Sequence, residues 1–137
     1  MARIVAIDFG MKRVGLATTD PLQIIATPLT TVPRTEAISF LTDYASREDI
    51  ECYVVGQPFR ANGELSAVEE EILKFIDELK KKIPNAAIER QDEQYSSQRA
   101  MEALVQSGVR KKQRRKKELL DSTAATLILQ DYLQGHL

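Results

Sequence analysis

The chain has 137 residues, of which 43% are hydrophobic and 28% charged. This is the balance of a soluble globular protein, and the length suits one domain over residues 1–137. The one cysteine, Cys52, excludes an internal disulfide and a zinc site built from several cysteines. No apolar run approaches the roughly 20 residues that span a membrane, and the first residues lack the apolar segment of a secretory signal. We therefore expect a cytoplasmic protein without a membrane partner.

The formal net charge of −1 conceals an uneven distribution. Seven of the eight residues from Arg110 to Lys117 are cations, so 12 of the 19 cations stand elsewhere, against 20 acids, and give the rest of the chain a net charge of −8. One basic segment on an acidic protein favours a polyanionic partner such as nucleic acid. A solvated loop explains the same composition equally well.

The first third of the chain predicts three strands. Residues 2–8 are almost continuously apolar, as in a central strand that is covered on both faces. A turn at residues 10–13 and a second strand over residues 14–19 complete a hairpin, which Asp20-Pro21 ends. A third strand, interrupted by Pro28, follows around residues 27–32.

Helical spacing then alternates with short strands. Ser66 and Glu69 form a capping-box pattern before the second of the predicted helices. Further strands are predicted over residues 52–56 and 86–91, and helices over residues 35–47, 66–83, 96–108 and 118–133. This order predicts an α/β fold with a mixed sheet, in which an antiparallel hairpin is followed by parallel strands.

Three acids from distant parts of the chain stand at the ends of predicted elements. Asp8 ends the first strand, Asp92-Glu93 follow the fifth, and Asp121 lies in the first turns of the last helix. Ligands in open α/β sheets bind beyond the carboxyl ends of the strands. Carboxylates that converge there repel one another unless a cation neutralises them, and their hard oxygen atoms suit Mg²⁺ or Mn²⁺. One or two such ions can support phosphodiester hydrolysis.

Each acid also has a purely structural explanation. Asp8 can cap the following turn, Asp92 can begin a turn, and Asp121 can be an ordinary acid near a helix N-terminus. A Ser-His-acid triad is excluded, because the one histidine, His136, is next to the last residue.

Four segments match the motifs of one family in chain order. They are Asp8-Phe9-Gly10-Met11-Lys12-Arg13-Val14-Gly15; Val55-Gly56-Gln57-Pro58 with Asn62-Gly63; Asp92-Glu93-Gln94-Tyr95-Ser96-Ser97; and Lys116-Lys117 with Asp121-Ser122, Ala124-Ala125 and Ile128-Leu129-Gln130. On these motifs the chain resembles the YqgF/RuvX-like family of the RNase H-like superfamily. Members of that family are described as pre-16S rRNA nucleases or as Holliday-junction resolvase homologues.

The resemblance implies an RNase H-like fold, with a five-stranded mixed sheet flanked by helices. It also implies that Asp8, Glu93 and Asp121 form a catalytic cluster that binds one or two Mg²⁺ or Mn²⁺ ions. Gln94 departs from the family pattern, which usually has Arg there. Glu118 stands where larger resolvases carry a further acid, and it is an additional candidate ligand.

The basic segment immediately precedes the helix that carries Asp121, so it is predicted to hold backbone phosphates without reading sequence. The candidates for this role are Arg114, Arg115, Lys116 and Lys117. Secondary candidates are Lys12, Arg13, Arg60 and Asn62, for which ordinary surface polarity is the alternative explanation.

The sequence therefore predicts a metal-dependent endonuclease that acts on structured nucleic acid. Its substrate is expected to be pre-16S rRNA, with ribosomal particles as partners, or alternatively a Holliday junction, which requires a homodimer rather than a monomer. Two other classes stay open: a non-catalytic RNA-binding factor, and a nucleotide-binding module of the actin and sugar-kinase type. The latter shares the Asp-x-Gly-x-x-x-x-Gly pattern of residues 8–15, but those proteins enclose a nucleotide between two domains.

Overall fold

The computed structural model describes residues 2–58, 67–92 and 117–135, with side chains in the last range described from Thr123 onwards. The described residues form strands and helices in the following order: β1 (Arg3–Phe9), β2 (Arg13–Thr19), β3 (Ala26–Pro33), α1 (Arg34–Arg47), β4 (Ile50–Gln57), α2 (Glu69–Lys82), β5 (Ile88–Asp92) and α3 (Lys117–Gly135). None of these helices is long and apolar enough to cross a membrane.

The strands form one mixed sheet in the order β3-β2-β1-β4-β5. The central strand β1 is antiparallel to β2 and parallel to β4. At the two edges of the sheet, β3 is antiparallel to β2 and β5 is parallel to β4. The predicted α/β fold, with a hairpin start and parallel additions, is confirmed. Because β1, β4 and β5 are parallel, their carboxyl ends lie at one edge of the sheet.

Successive side chains of β1 point to opposite faces of the sheet. Val5 and Ile7 belong to the core that the sheet shares with α1 and α2. Ile4 and Ala6 belong to a second core, which the sheet shares with α3. Burial on both faces is the physical reason for the continuous apolar run at the start of the chain.

Helix α3 runs antiparallel to β1. Near its carboxyl end, the Tyr132 hydroxyl lies 3.9 Å from the Cys52 Sγ, and Cys52 pairs with Ile4 near the start of β1. The amino-terminal turns of α3 therefore lie toward the carboxyl end of β1, where Asp8 stands.

The third strand, predicted around residues 27–32 with an interruption at Pro28, is present as β3 and has an irregularity in its pairing beside Pro28. β3 continues through Pro28, and the pairing register with β2 shifts at the neighbouring positions Leu16 and Ala17. β3 is an edge strand, where proline is tolerated because one side of the backbone needs no strand partner.

The capping-box interpretation of Ser66 and Glu69 stays a prediction, because both of its hydrogen bonds involve Ser66. Helix α2 begins at Glu69, and the Glu69 carboxylate binds Arg90 on β5. Ser66 and the helix predicted over residues 96–108 lie outside the described residues.

Candidate functional site

Asp8 is half-buried and is the last residue but one of β1. Strand alternation places it with Ile4 and Ala6 on the face that α3 covers. Across the hairpin it pairs with Gly15, which has no side chain. The carboxylate thus lies at the carboxyl edge of the parallel strands, and no side chain stands opposite it on β2.

Arg13 lies close to Asp8 on the same face. It begins β2, two residues before Gly15, the partner of Asp8. Residues in this diagonal relation on antiparallel strands are about 7–8 Å apart. The structure therefore brings one predicted phosphate-binding cation beside the candidate carboxylate.

The turn between β1 and β2 is held by backbone contacts. A Cβ atom on Gly10 would lie 2.5 Å from the Arg13 carbonyl oxygen, so this close approach requires glycine. The exposed residue Lys12 accepts, through its carbonyl oxygen, a hydrogen bond of 2.9 Å from the Arg34 amide at the start of α1. The turn is thereby fixed while the Lys12 side chain extends into solvent.

Measured along the direction of β1, position 121 of α3 is at about the same height as Asp8. It is the fifth residue of α3, and it lies eleven residues, or about 16 Å of helix, before Tyr132. Tyr132 is level with the Ile4–Cys52 pair, and the four residues from Ile4 to Asp8 span about 13 Å of strand. The backbone of Asp121 thus lies toward the carboxyl edge of β1, while its side chain is outside the described part of the structure.

The other predicted site residues are not described. Glu93 follows Asp92, the last residue of β5, and lies outside the described residues. Lys117 and Glu118 begin α3, but their side chains are likewise outside them. The same holds for the remaining candidates: Arg60, Asn62, Gln94, Arg114, Arg115 and Lys116.

Among the residues with described side chains, no group of three or more His, Cys, Asp or Glu is gathered in one place. Of the three predicted ligands, Asp8 has a described side chain. Its half-buried carboxylate is a hard oxygen donor that suits Mg²⁺ or Mn²⁺. The donor chemistry therefore fits a divalent cation, and the complete ligand set stays a prediction.

β4 and β5 extend the face that carries Asp8. Val55 on β4 pairs with Ile7 on β1, the residue before Asp8. The next residue of β4, Gly56, pairs with Gln91 on β5. Since Val55 faces α1 and α2, Gly56 and Gln91 face α3. Gln91 is half-buried and two strands, or about 10 Å, away from Asp8. The sequence interpretation overlooked it, although it stands two positions before Glu93.

A partly buried ion pair, Arg90 with Glu69, lies on the other face of the sheet, on the side of α2. The Arg90 Nη1 and Nη2 atoms donate to the Glu69 Oε2 and Oε1 atoms at 2.8 and 2.7 Å. Arg90 Nε also donates to the Val55 carbonyl at 3.1 Å, and Nη2 donates to the Gly56 carbonyl at 3.0 Å. The side chain of Glu69 is only 9% exposed. Hydrogen bonds from the Arg90 guanidinium nevertheless lower the pKa of the Glu69 carboxyl below its usual value.

A cavity of about 390 Å³ opens between the amino-terminal halves of α1 and α2. Its lining includes Phe9, which faces the α1 and α2 core, so the cavity lies on the opposite side of the sheet from Asp8. Glu71 lies 3.8 Å from Arg34 and 3.4 Å from Lys74. The lining carries two cations, Arg34 and Lys74, and two acids, Glu71 and Glu78, so the cavity has no excess positive charge for a phosphate.

The family model described as "RuvX: Holliday junction resolvase" matches residues 2–135. A protein of Flavobacterium psychrophilum named "Putative pre-16S rRNA nuclease" is 47% identical over 133 residues, which cover 97% of each chain. A protein of the same name from Amoebophilus asiaticus is 46% identical over 136 residues, which cover 99% of this chain and 96% of that relative.

A similar solved structure is that of T. thermophilus RuvC in complex with Holliday junction substrate. It matches with a TM-score of 0.58 at 17% identity, over 99% of this chain and 96% of that chain. This likeness confirms the predicted RNase H-like fold. With a family model matched over nearly its whole length and relatives close to half identical, the chain belongs to the RuvX family.

Proposed function

We propose that this chain is a single RNase H-like nuclease domain that cleaves the ends of pre-16S rRNA in the cytoplasm, with a divalent cation as cofactor. The position of Asp8 carries the proposal. It lies at the carboxyl edge of the parallel strands, which is where ligands bind in open α/β sheets. The names of the relatives support the substrate class.

In this proposal Asp8, Glu93 and Asp121 hold one or two Mg²⁺ or Mn²⁺ ions. Nucleases with the RNase H-like fold generally depend on divalent cations. Glu93 directly follows Asp92, the last residue of β5, and β5 runs parallel to β4 and β1 toward the same edge of the sheet. A cation bound by these acids would activate a water molecule and stabilise the leaving oxygen of the phosphodiester.

The cations of the chain would position the substrate. Arg13 lies on the Asp8 face, and Lys12 is exposed in the adjoining turn, which supports a role for both in contacting phosphates near the scissile bond. Such contacts fix the register of a nucleic acid without reading its bases. We assign the same role to Arg60, Asn62, Arg114, Arg115, Lys116 and Lys117. Selection of the cleavage position would then come from the shape of the RNA and of the ribosomal particle that presents it.

The test compares wild type with Asp8→Asn on precursor rRNA ends in Mg²⁺ or Mn²⁺. Asp43→Asn is a matched control, because this exposed acid on α1 pairs with Arg47 at the surface. We expect Asp8→Asn to lower cleavage by about 100-fold or more, since metal stabilisation of the transition state is worth several kcal/mol. Asp43→Asn should cleave like wild type. Equal cleavage by all three proteins would remove Asp8 from the mechanism.

Resolution of Holliday junctions is the second candidate function. The description of the matching family model and the junction bound to T. thermophilus RuvC favour it. A resolvase must present two equivalent sites to one junction, so this function requires a symmetric dimer. Cleavage of four-way DNA junctions by a dimer, with precursor rRNA left intact, would favour this function. A monomer on the junction would exclude it.

A further inference from the structure

Arg90 and Glu69 connect three elements at the carboxyl edge of the sheet. Arg90 stands on β5, the carbonyl groups that it binds belong to β4, and Glu69 is the first residue of α2. The Gln57 Nε2 atom, at the end of β4, donates to the Glu69 Oε2 atom at 3.4 Å. The ends of β4 and β5 and the start of α2 are therefore held by one carboxylate and one guanidinium.

This pair lies next to Asp8 through the backbone but on the other face of the sheet. Ile7, Val55 and Arg90 form one row across β1, β4 and β5, and Asp8 follows Ile7 directly. The Val55 carbonyl that accepts from Arg90 thus belongs to the row next to Asp8. Because Arg90 and Glu69 lie on the side of α2, they do not contact a substrate bound at Asp8.

The hydrogen bonds between Arg90 and Glu69 fix relative positions more than they stabilise the fold. Buried ion pairs stabilise a fold weakly, because desolvation offsets their attraction. A planar guanidinium that binds a carboxylate with two parallel hydrogen bonds, and two backbone carbonyls besides, does fix relative positions. A lysine in place of Arg90 would keep the charge but could not make these bonds together.

We propose that Arg90 and Glu69 are positioning residues for the site beside Asp8, holding the carboxyl ends of β4 and β5 and the first turn of α2 in the arrangement that metal binding requires. This inference rests on the proposed function. It assigns the pair a role through the backbone, and neither residue is a ligand or contacts the reacting atoms.

The chain contains a matched control pair at the opposite end of the sheet. Arg3 on β1 binds the Glu48 Oε2 atom through Nε at 3.2 Å and the Thr19 carbonyl through Nη1 at 2.8 Å. It therefore joins a carboxylate and a strand carbonyl as Arg90 does, but near the amino end of β1. Substitutions there test whether loss of any arginine–carboxylate connection has the same effect.

The experiment compares Arg90→Lys, Arg90→Met and Glu69→Gln with Arg3→Lys, Arg3→Met and Glu48→Gln. Mn²⁺ binding is measured without substrate by electron paramagnetic resonance. Thermal unfolding is followed alongside it, and kcat and KM are measured well below each melting temperature. We expect the Arg90 and Glu69 variants to bind Mn²⁺ about 10-fold to 100-fold more weakly, as when a residue that orients a metal ligand is lost. Their kcat should fall with little change in KM, and Arg90→Lys should not restore it.

The Arg3 and Glu48 variants should lose stability at most, and bind Mn²⁺ as wild type does. If the Arg90 and Glu69 variants melt earlier but bind Mn²⁺ and turn over normally, the pair is structural and the inference is overturned. If Arg90→Met does not fold, Arg90→Lys and Glu69→Gln decide the outcome by the same readouts. A wild type that neither binds Mn²⁺ nor cleaves would instead refute the proposed function, and the inference with it.

Discussion

Asp8 pairs with Gly15 across the β1–β2 hairpin, so the residue opposite the candidate carboxylate has no side chain. Paired residues on antiparallel strands have Cβ atoms about 4.5–5.5 Å apart. A side chain at position 15 would therefore stand against the Asp8 carboxylate on the face that α3 covers.

We expect Gly15→Val to lower kcat by about 100-fold, the effect of a small displacement of a catalytic group. Ala17→Val is the control, because Ala17 is buried on the same strand and face but pairs with Ala6. The larger side chain in the core should cost about 1–3 kcal/mol of stability and leave the kcat of the folded protein unchanged. Wild-type turnover by Gly15→Val would show that the site does not use the space beside Asp8.

Metal binding should stabilise the fold through Asp8. The proposed ligands come from distant parts of the chain, so the folded state alone brings them together. A cation at 100 times its dissociation constant then adds about 2.7 kcal/mol to the free energy of unfolding. We expect Mn²⁺ to raise the melting temperature of wild type, and a chelator to reverse the shift and stop cleavage. A shift of the same size in Asp8→Asn would place the bound ion elsewhere.

The sheet could be predicted because its signals are local and periodic. The apolar run of β1 requires cover on both faces, and this cover is what α3 and the α1–α2 layer provide. Asp8 is the first charge after that run, so its place at the carboxyl edge followed from the sequence. The buried face of the last helix followed as well, because its predicted stripe places Ala125 and Ile128 in the core beside β1.

The Glu69–Arg90 pair could not be predicted in the same way. Its members are 21 residues apart, and no short motif joins them. The local pattern of Ser66 and Glu69 pointed instead to a helix cap, since a capping box is read within four residues. Tertiary pairing determined the partner of the carboxylate, because β5 places a guanidinium beside the first turn of α2.

This pair makes stability depend on pH. Hydrogen bonds from Arg90 lower the pKa of Glu69 in the folded protein, so the folded state binds a proton less readily than the unfolded chain, where the pKa is about 4.3. The stabilisation is complete above that value and is lost as the pH falls through it toward the lower pKa of the folded state. In urea unfolding at several pH values from about 3 to 7, the free energy of unfolding should fall less steeply toward acid pH in Glu69→Gln than in wild type. The same slope in both proteins would contradict this assignment.

Cys52 should be unreactive while α3 is docked. Its side chain is buried, and Tyr132 lies against the thiol. Burial raises the pKa of Cys52, and the thiolate is the form that reacts with alkylating agents. Burial also raises the pKa of Tyr132 to about 12, so its hydroxyl stays neutral. We expect slow labelling of the native protein by iodoacetamide and fast labelling in urea.

Tyr132→Ala should accelerate labelling of the folded protein, because it removes the cover over the thiol. Leu79→Ala is the control: Leu79 is fully buried in the core on the other face, and its truncation costs about 2–5 kcal/mol without uncovering Cys52. At matched stability, equal rates in the two variants would mean that labelling reports global unfolding. A faster rate in Tyr132→Ala alone would make Cys52 a probe of the docking of α3, the helix that contains Asp121.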